Sequence, residues 1–258
     1  MHQYAFSLAW ANRSEQVGRE IQVDRFVSMW NDLARVSDLF KQQWVDVGWW
    51  AQFDGADDMI GVDCSDPRSV MSMFDRAARP DPVEDPSFVD PTGRIRAHIS
   101  TGFGDGAIGF HLTVGGKEGV DSIIQILGDV PDSEGEYGIP KNAFSPDQIR
   151  SIIHILVKSW SPRYCRWIDQ GEHSGQKPDI PAGNPERNRI EWQSTLGWLT
   201  YFDAEAVRIP KGIDWPAHVI VDSFGSGTTI QIGDDPFGVT WMDIQEVRKA
   251  LGWPHRLT

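Results

Sequence analysis

Hydrophobic residues recur along this chain with two periods, one typical of helices and the other of strands. Apolar stripes at the i, i+3, i+4 spacing of a helix run through residues 26–34 and 149–160. The first helix is predicted to begin at about Asp24, whose carboxylate can cap the free backbone N–H groups of a first turn. The second is predicted to begin at Ser145, because the run SPDQ has the form of a capping box with proline at the first helical position.

Two further helices are indicated by their end signals. Asp66-Pro67 opens a short helix that turns Val70 and Phe74 inward, since proline is tolerated in a first turn. A closing helix is predicted after Thr240, with an acidic residue three positions later, and it stops at Gly252.

Alternating or continuous apolar runs predict strands between these helices. They cover residues 3–10, 44–50, 95–100, 107–114, about 120–127, 164–168, 196–202, 217–222 and 227–233. Those between 95 and 127 follow one another closely enough to form an antiparallel meander. The predicted fold is therefore α+β, with mainly antiparallel sheet(s) flanked by amphipathic helices in a single domain over residues 1–258. A run rich in proline and aspartate at 79–93 marks a possible boundary between sub-structures.

Charge narrows the classes of partner. The 258 residues include 24 Lys and Arg against 37 Asp and Glu, a formal net charge of -13. Such a chain is repelled by phosphate backbones and by anionic membrane surfaces, so we expect neither direct nucleic-acid nor membrane binding. A basic protein partner would instead be attracted.

Cysteine use and hydropathy predict the compartment. The two cysteines, Cys64 and Cys165, form neither a disulfide framework nor a metal-binding motif, which favours a reducing environment. The N-terminus lacks the basic residues of a signal peptide, and no apolar run approaches the ~18 residues of a membrane span. The expected location is the cytoplasm.

Candidate catalytic chemistry is sparse. The glycine-rich runs at 102–109 and 224–233 are followed or occupied by strand-like residues, so they predict hairpins rather than phosphate-binding loops. His98 and His111 lie on neighbouring predicted strands with Asp105 in the turn between them, a set that could hold zinc. We therefore expect no enzymatic activity and no cofactor, with a metal-binding protein or hydrolase using these three residues as the alternative.

Acidic residues concentrate in predicted loops. Three clusters near Trp and Tyr residues suit docking onto a basic surface, where charge sets the association rate and aromatic residues anchor the contact. The first cluster consists of Asp54, Asp57, Asp58, Asp63 and Asp66, the second of Asp81, Glu84, Asp85 and Asp90, and the third of Asp129, Asp132, Glu134 and Glu136. The candidate partner-binding residues among them are Asp54, Asp57, Asp58, Asp81, Glu84, Asp85, Asp90, Asp132, Glu134 and Glu136.

Two aromatic runs carry a resemblance to a known family. The run WSPRY at 160–164 is followed, after a variable loop, by LGWLTYF at 196–202, and GTTIQIGDDPF at 227–237 precedes the last helix. Over about residues 140–255 this arrangement resembles the immunity protein 52 family of bacterial polymorphic-toxin systems. The aromatic residues Trp160, Trp198 and Tyr201 are expected in the core rather than at a contact surface.

The resemblance implies a function as well as a fold. It implies an α+β protein without enzymatic activity that binds and neutralises a cognate toxin. In this family the toxin is typically a nuclease with a restriction-endonuclease-like fold, delivered by contact-dependent routes that include type VI secretion. A nuclease presents a basic groove to DNA, so an acidic protein could occupy or border that groove.

Overall fold

The computed structural model of the chain describes residues 6–11, 18–41, 49–52, 60–77, 95–100, 108–114, 122–128, 143–168, 176 and 195–253. Its helices are α1 (Arg19–Val36), α2 (Pro67–Ala77), α3 (Pro146–Trp160) and α4 (Trp241–Ala250), with a short 3-10 helix at Asp38–Phe40. No helix in the described part of the chain is both long enough and apolar enough to cross a membrane. The strands are β1 (Phe6–Ala11), β2 (Trp49–Gln52), β3 (Ile60–Val62), β4 (Ile95–Ser100), β5 (Ile108–Val114), β6 (Ser122–Gly128), β7 (Tyr164–Ile168), β8 (Leu199–Asp203), β9 (Val219–Phe224) and β10 (Gly227–Ile232).

All of these strands join one antiparallel sheet in the order β3-β2-β4-β5-β6-β1-β7-β8-β10-β9. The predicted α+β class with an antiparallel sheet is confirmed, and β4, β5 and β6 form the expected meander. Strand β1 lies between β6 and β7, with Leu8 opposite both Gln125 and Arg166. The first strand of the chain therefore joins the two halves of the sheet.

Helices α3 and α4 begin where the sequence predicts. Ser145 Oγ accepts from the Gln148 N–H at 3.3 Å, and the Ser145 N–H donates to Gln148 Oε1 at 2.9 Å. At α4 the N–H of Thr240 donates to Asp243 Oδ2 at 2.8 Å, and Thr240 Oγ1 accepts from the N–H of Asp243 at 3.3 Å. Both ends are capping boxes, because side chain and backbone satisfy each other reciprocally.

The predicted start of α1 is wrong. The helix begins at Arg19, its N-cap is Gly18 without a side-chain hydrogen bond, and Asp24 lies exposed within the helix. The buried stripe includes Gln22 and Val23 as well as the predicted apolar face, so packing extends the helix upstream of the residue that resembled a cap. Strand β3 was not predicted, since three residues give too short a pattern.

Helices α1, α2 and α3 pack on one face of the sheet around a continuous chain of aromatic rings. Neighbouring ring centroids lie between 5.6 and 6.0 Å apart, in stacked or edge-on contacts that favour aromatic pairs. In order, the rings are those of Phe74, Phe26, Trp30, Phe40, Phe144 and Trp167. This chain links α2, α1, the segment before α3 and strand β7.

Helix α4 packs on the opposite face, where Ile244 and Val247 join a second core with Phe202 and Ile230. Strands β7 and β8 lie between the two cores and are buried at all five of their positions. Side chains of a strand alternate between faces, so neighbouring residues of β8 serve different cores. Tyr201 belongs to the core of α1–α3, and Phe202 belongs to the core of α4.

Two glycines allow close backbone approach around β8. A Cβ at Gly197 would lie 2.1 Å from the carbonyl oxygen of Trp167, and one at Gly227 would lie 2.1 Å from that of Phe202. Both obstructing atoms are backbone, so the strands themselves would have to separate. The glycine of LGWLTYF is therefore required by packing.

We predict that Gly197→Ala destabilises the protein by roughly 1–3 kcal/mol or more, because the added methyl overpacks a rigid backbone contact. The matched control is Gly61→Ala in β3, where a Cβ would meet nothing within 4 Å. The free energy of unfolding from urea titration measures both. Equal stability of the two variants would contradict the packing account of Gly197.

Candidate protein interaction surface

The acidic residues predicted to bind a partner lie outside the described residues, so their role stays a prediction. They are Asp54, Asp57, Asp58, Asp81, Glu84, Asp85, Asp90, Asp132, Glu134 and Glu136. The possible sub-structure boundary at 79–93 and the predicted strand residues 44–48 lie outside them as well. The flanking strands nevertheless fix where these segments leave the sheet.

The first two acidic segments adjoin the same end of the sheet. Strand β2 runs antiparallel to β4 and ends at Gln52, opposite His98 in the middle of β4, so it is directed towards the start of β4. Segment 53–59 follows Gln52, and segment 78–94 leads into Ile95 at that start. We call this the Gln52 end of the sheet.

The third acidic segment leaves from the opposite end. It follows Gly128, which lies opposite Ile108, and Gly109 in turn lies opposite Ser100 at the end of β4. We call this the Gly128 end. A seven-residue strand spans roughly 20 Å, and this distance separates the two ends. The first two segments and the third therefore connect to described strands about one strand length apart.

Two further members of the first acidic run, Asp63 and Asp66, have structural tasks. Asp63 Oδ1 accepts from the N–H of Ser65 at 2.9 Å, and Asp66 Oδ1 accepts from the N–H of Arg68 at 3.0 Å. Such Asx-type bonds shape the turn that starts α2. The carboxylates of Asp63 and Asp66 therefore have a structural role at the start of α2.

The register places His98 directly opposite His111, as the zinc alternative requires of the two histidines. The row continues through Gln52 on one side and Gln125 on the other, across four strands. Asp105, the proposed third ligand, lies outside the described residues. Within the described part of the chain no group of three or more His, Cys, Asp or Glu is placed to hold a metal ion.

The aromatic residues of the family-like runs lie in the core, as predicted. Trp160, Trp198 and Tyr201 are each at most 5% exposed, and the Trp160 indole N–H donates to the sulfur of Met29. The guanidinium of Arg150 lies 5.3 Å from the centre of the Trp198 ring. These residues hold α3 on the sheet and are not available as contacts.

A buried polar cluster lies at the end of β8, and no sequence pattern predicted it. Asp203 is 7% exposed, and its carboxylate accepts from the hydroxyls of Ser226 and Tyr201 and from the N–H of Glu205. Burial raises the pKa of Tyr201; the Ser226 hydrogen bond opposes this, and the Asp203 charge adds to the rise. The arrangement ties the β9–β10 turn to β8, and its only sequence signal is an aspartate directly after a strand.

Helix α3 meets the outer strands through His154, whose ring stacks on Phe224 of β9 at 4.0 Å between centroids. Nearby, Arg150 Nε donates to Gln231 Oε1 at 2.7 Å. Burial lowers the pKa of His154, and the adjacent Arg150 charge lowers it further. A neutral imidazole therefore supports the contact between α3 and β9.

Comparison with known proteins gives a likeness of fold. No protein-family model and no curated protein sequence matches the chain. The fold is similar to that of the Pseudomonas aeruginosa T6SS (type VI secretion system) protein PA0821, with a TM-score of 0.57 and 12% sequence identity. The likeness covers 97% of this chain and 76% of that one. At this identity it is the fold that is alike, and membership of the immunity protein 52 family stays a prediction.

We predict that stability falls as the pH drops below about 6.5, in part because unfolded His154 binds a proton more readily than folded His154. The contribution is complete above the pKa of the unfolded state and is lost as the pH falls towards the lowered folded pKa. His154→Phe retains a ring against Phe224 and cannot titrate, so its unfolding free energy should depend less on pH. Urea titrations of both proteins at several pH values between 7.5 and 5 measure this. If the unfolding free energy changed equally with pH in both proteins, the contribution assigned to His154 would be contradicted.

Proposed function

We propose that this chain is an immunity protein that binds a cognate toxin of a type VI secretion system and neutralises it by stoichiometric contact. The observation that carries the proposal is the likeness of fold over 97% of the chain to a T6SS protein. Because one fold can serve several functions, this likeness supports the secretion context, and the role of inhibitor comes from the sequence resemblance.

The charge of the chain supports a basic target. A net charge of -13 gives a long-range field that accelerates encounter with a positive surface. Nucleases present such a surface, since they bind phosphates with Lys and Arg. We therefore propose a nuclease toxin, in line with the restriction-endonuclease-like toxins that the family resemblance implies.

In this proposal the chain catalyses no reaction and needs no cofactor. Inhibition comes from covering or bordering the toxin's basic groove, in the cytoplasm where the toxin would meet DNA. The polar clusters that can be assigned a task act within the fold: Asp203 holds a turn, and Ser145 and Thr240 cap helices.

A metal-binding protein or hydrolase is the second candidate, favoured by the opposed positions of His98 and His111. Metal analysis of protein purified without a histidine tag separates the two candidates. Near-stoichiometric zinc that disappears in His98→Ala would favour this second function.

The first experiment is capture of the tagged chain from lysate of its own bacterium, followed by a high-salt wash and mass spectrometry. We expect one large partner with a basic C-terminal domain at a ratio near one to one. That domain, expressed alone in a laboratory bacterium, should stop growth and cleave DNA, and co-expression of this chain should restore growth. A captured partner whose toxicity is not relieved would contradict the proposal.

Charge reversal of the acidic segments tests which end of the sheet faces the partner. Changing Asp81, Glu84, Asp85 and Asp90 to Lys should slow association with the captured partner about tenfold or more at low salt, because electrostatic steering acts on the association rate. Reversal of Asp132, Glu134 and Glu136, whose segment leaves from the Gly128 end, is the matched comparison. An unchanged association rate for the first variant removes that segment from the interface.

A further inference from the structure

The strand β9 forms one edge of the sheet. It pairs with β10 along one side, and no strand in the described part of the chain pairs with its other side. Its register is continuous over the six residues from Val219 to Phe224. No bulge therefore interrupts the pairing of this edge strand with β10.

Hydrogen bonds at both ends of β9 show which backbone groups face β10. The carbonyl of His218 accepts from the N–H of Gly233 at 2.8 Å, and the carbonyl of Asp222 accepts from Thr229 Oγ1 at 3.2 Å. In an antiparallel pair the backbone groups of successive residues point to alternate sides. The even-numbered residues of β9 therefore direct their N–H and carbonyl groups towards β10.

The odd-numbered residues direct theirs outward. The N–H of Val219 is occupied by the carbonyl of Pro216 at 2.9 Å, so the start of the strand is closed by its own loop. The N–H and carbonyl groups of Val221 and Ser223 follow along the open edge. Two residues spaced in this way match the hydrogen-bonding repeat of an added antiparallel strand.

The side chains on β9 leave this edge open to pairing. Natural edges are blunted by proline, by charged side chains such as lysine, or by a bulge, and between Val219 and Phe224 the single such feature is the charge of Asp222. Ile220 is 47% exposed and lies on the same face as exposed Asp222. An added strand would cover an apolar side chain and meet a single negative charge two residues later.

We propose that the outer edge of β9 is a strand-addition site for an extended basic segment of a protein partner. The added segment would bond to the backbone of Val221 and Ser223 and place an apolar residue beside Ile220. A Lys or Arg would lie beside Asp222. The inference rests on the proposed function only in taking the occupant to be a protein.

Charge identifies the occupant. The part of the chain that contains β9, from Asp203 to Trp253, has eight acidic and four basic residues, and Asp222 is exposed on β9 itself, so charge favours a cation-bearing segment. A second copy of β9 paired about its centre would bring Asp222 opposite, or diagonal to, its own equivalent, and like charges across strands are destabilising. A basic segment converts the same carboxylate into a favourable cross-strand partner.

The test uses a labelled ten-residue peptide with blocked ends in which every second residue is Thr and the residues between them alternate between Val and Lys, so that one face offers both an apolar and a basic side chain. Its counterpart has Glu in place of each Lys. We expect the basic peptide to bind, to slow hydrogen exchange at the amides of Val221 and Ser223, and to bind more tightly than the acidic one. Ser223→Pro removes an outward N–H and leaves the bonds to β10 intact, so it should weaken binding about tenfold. Ser223→Ala keeps that N–H and should bind like the natural chain.

Charge variants provide a test that tolerates a folding defect in the proline variant. Asp222→Lys should weaken the basic peptide and strengthen the acidic one. Glu20→Lys is the matched control, because it makes the same change of charge far from β9. Its neighbour Arg19 pairs with Asp75 of α2, and α2 contacts β3 and β4 at the opposite edge of the sheet. Melting temperatures of all variants establish that they are folded.

Absence of binding by the basic peptide would overturn the proposal, and so would three further outcomes. They are equal binding by folded Ser223→Pro and Ser223→Ala, exchange protection confined to other strands, and a dimer in sedimentation that Ser223→Pro dissolves, which would assign the edge to a second copy. The peptide assay requires no toxin. Peptide binding without toxin neutralisation would contradict the proposed function alone, and neutralisation without peptide binding would contradict the edge site alone.

Discussion

Burial of β8 on both faces organises this fold. Its residues alternate between the core under α1–α3 and the core under α4, so neither layer is complete without the same strand. Gly197 and Gly227 permit the close backbone approach that such a strand needs, and the Asp203 carboxylate fastens the adjoining turn. The segment from α3 to α4 is therefore best understood as a scaffold whose most distinctive residues face inward.

The residues that carry the family resemblance and the residues proposed to bind a partner lie in different parts of the fold. The aromatic side chains of the runs that resemble an immunity family are buried, whereas the acidic segments follow or precede strand ends and the β9 edge faces outward. Packing constrains the residues of the scaffold, whereas binding to a partner constrains the residues of the surface. The likeness of fold to PA0821 at 12% identity therefore does not by itself identify the surface that would select a partner.

Local chemistry explains which features could be predicted from sequence. The capping boxes at Ser145 and Thr240 are reciprocal side-chain bonds within four residues, so the sequence alone locates them. The start of α1 depends instead on burial of Gln22 and Val23 against other elements. The place of β1 between β6 and β7 is a long-range pairing that no local pattern encodes. The contact between Asp203 and Ser226 could not be predicted for the same reason, since the two residues are distant in sequence.

The proposed immunity function requires that this chain inhibits a toxin by binding it rather than by modifying it. Titrating a fixed amount of the purified toxin domain with this chain, and measuring residual DNA cleavage at each ratio, distinguishes binding from modification. Stoichiometric inhibition predicts a linear loss of cleavage with a sharp break at one chain per toxin. Complete loss at a small fraction of that ratio would indicate an enzyme acting on the toxin, and no loss at any ratio would contradict the immunity function.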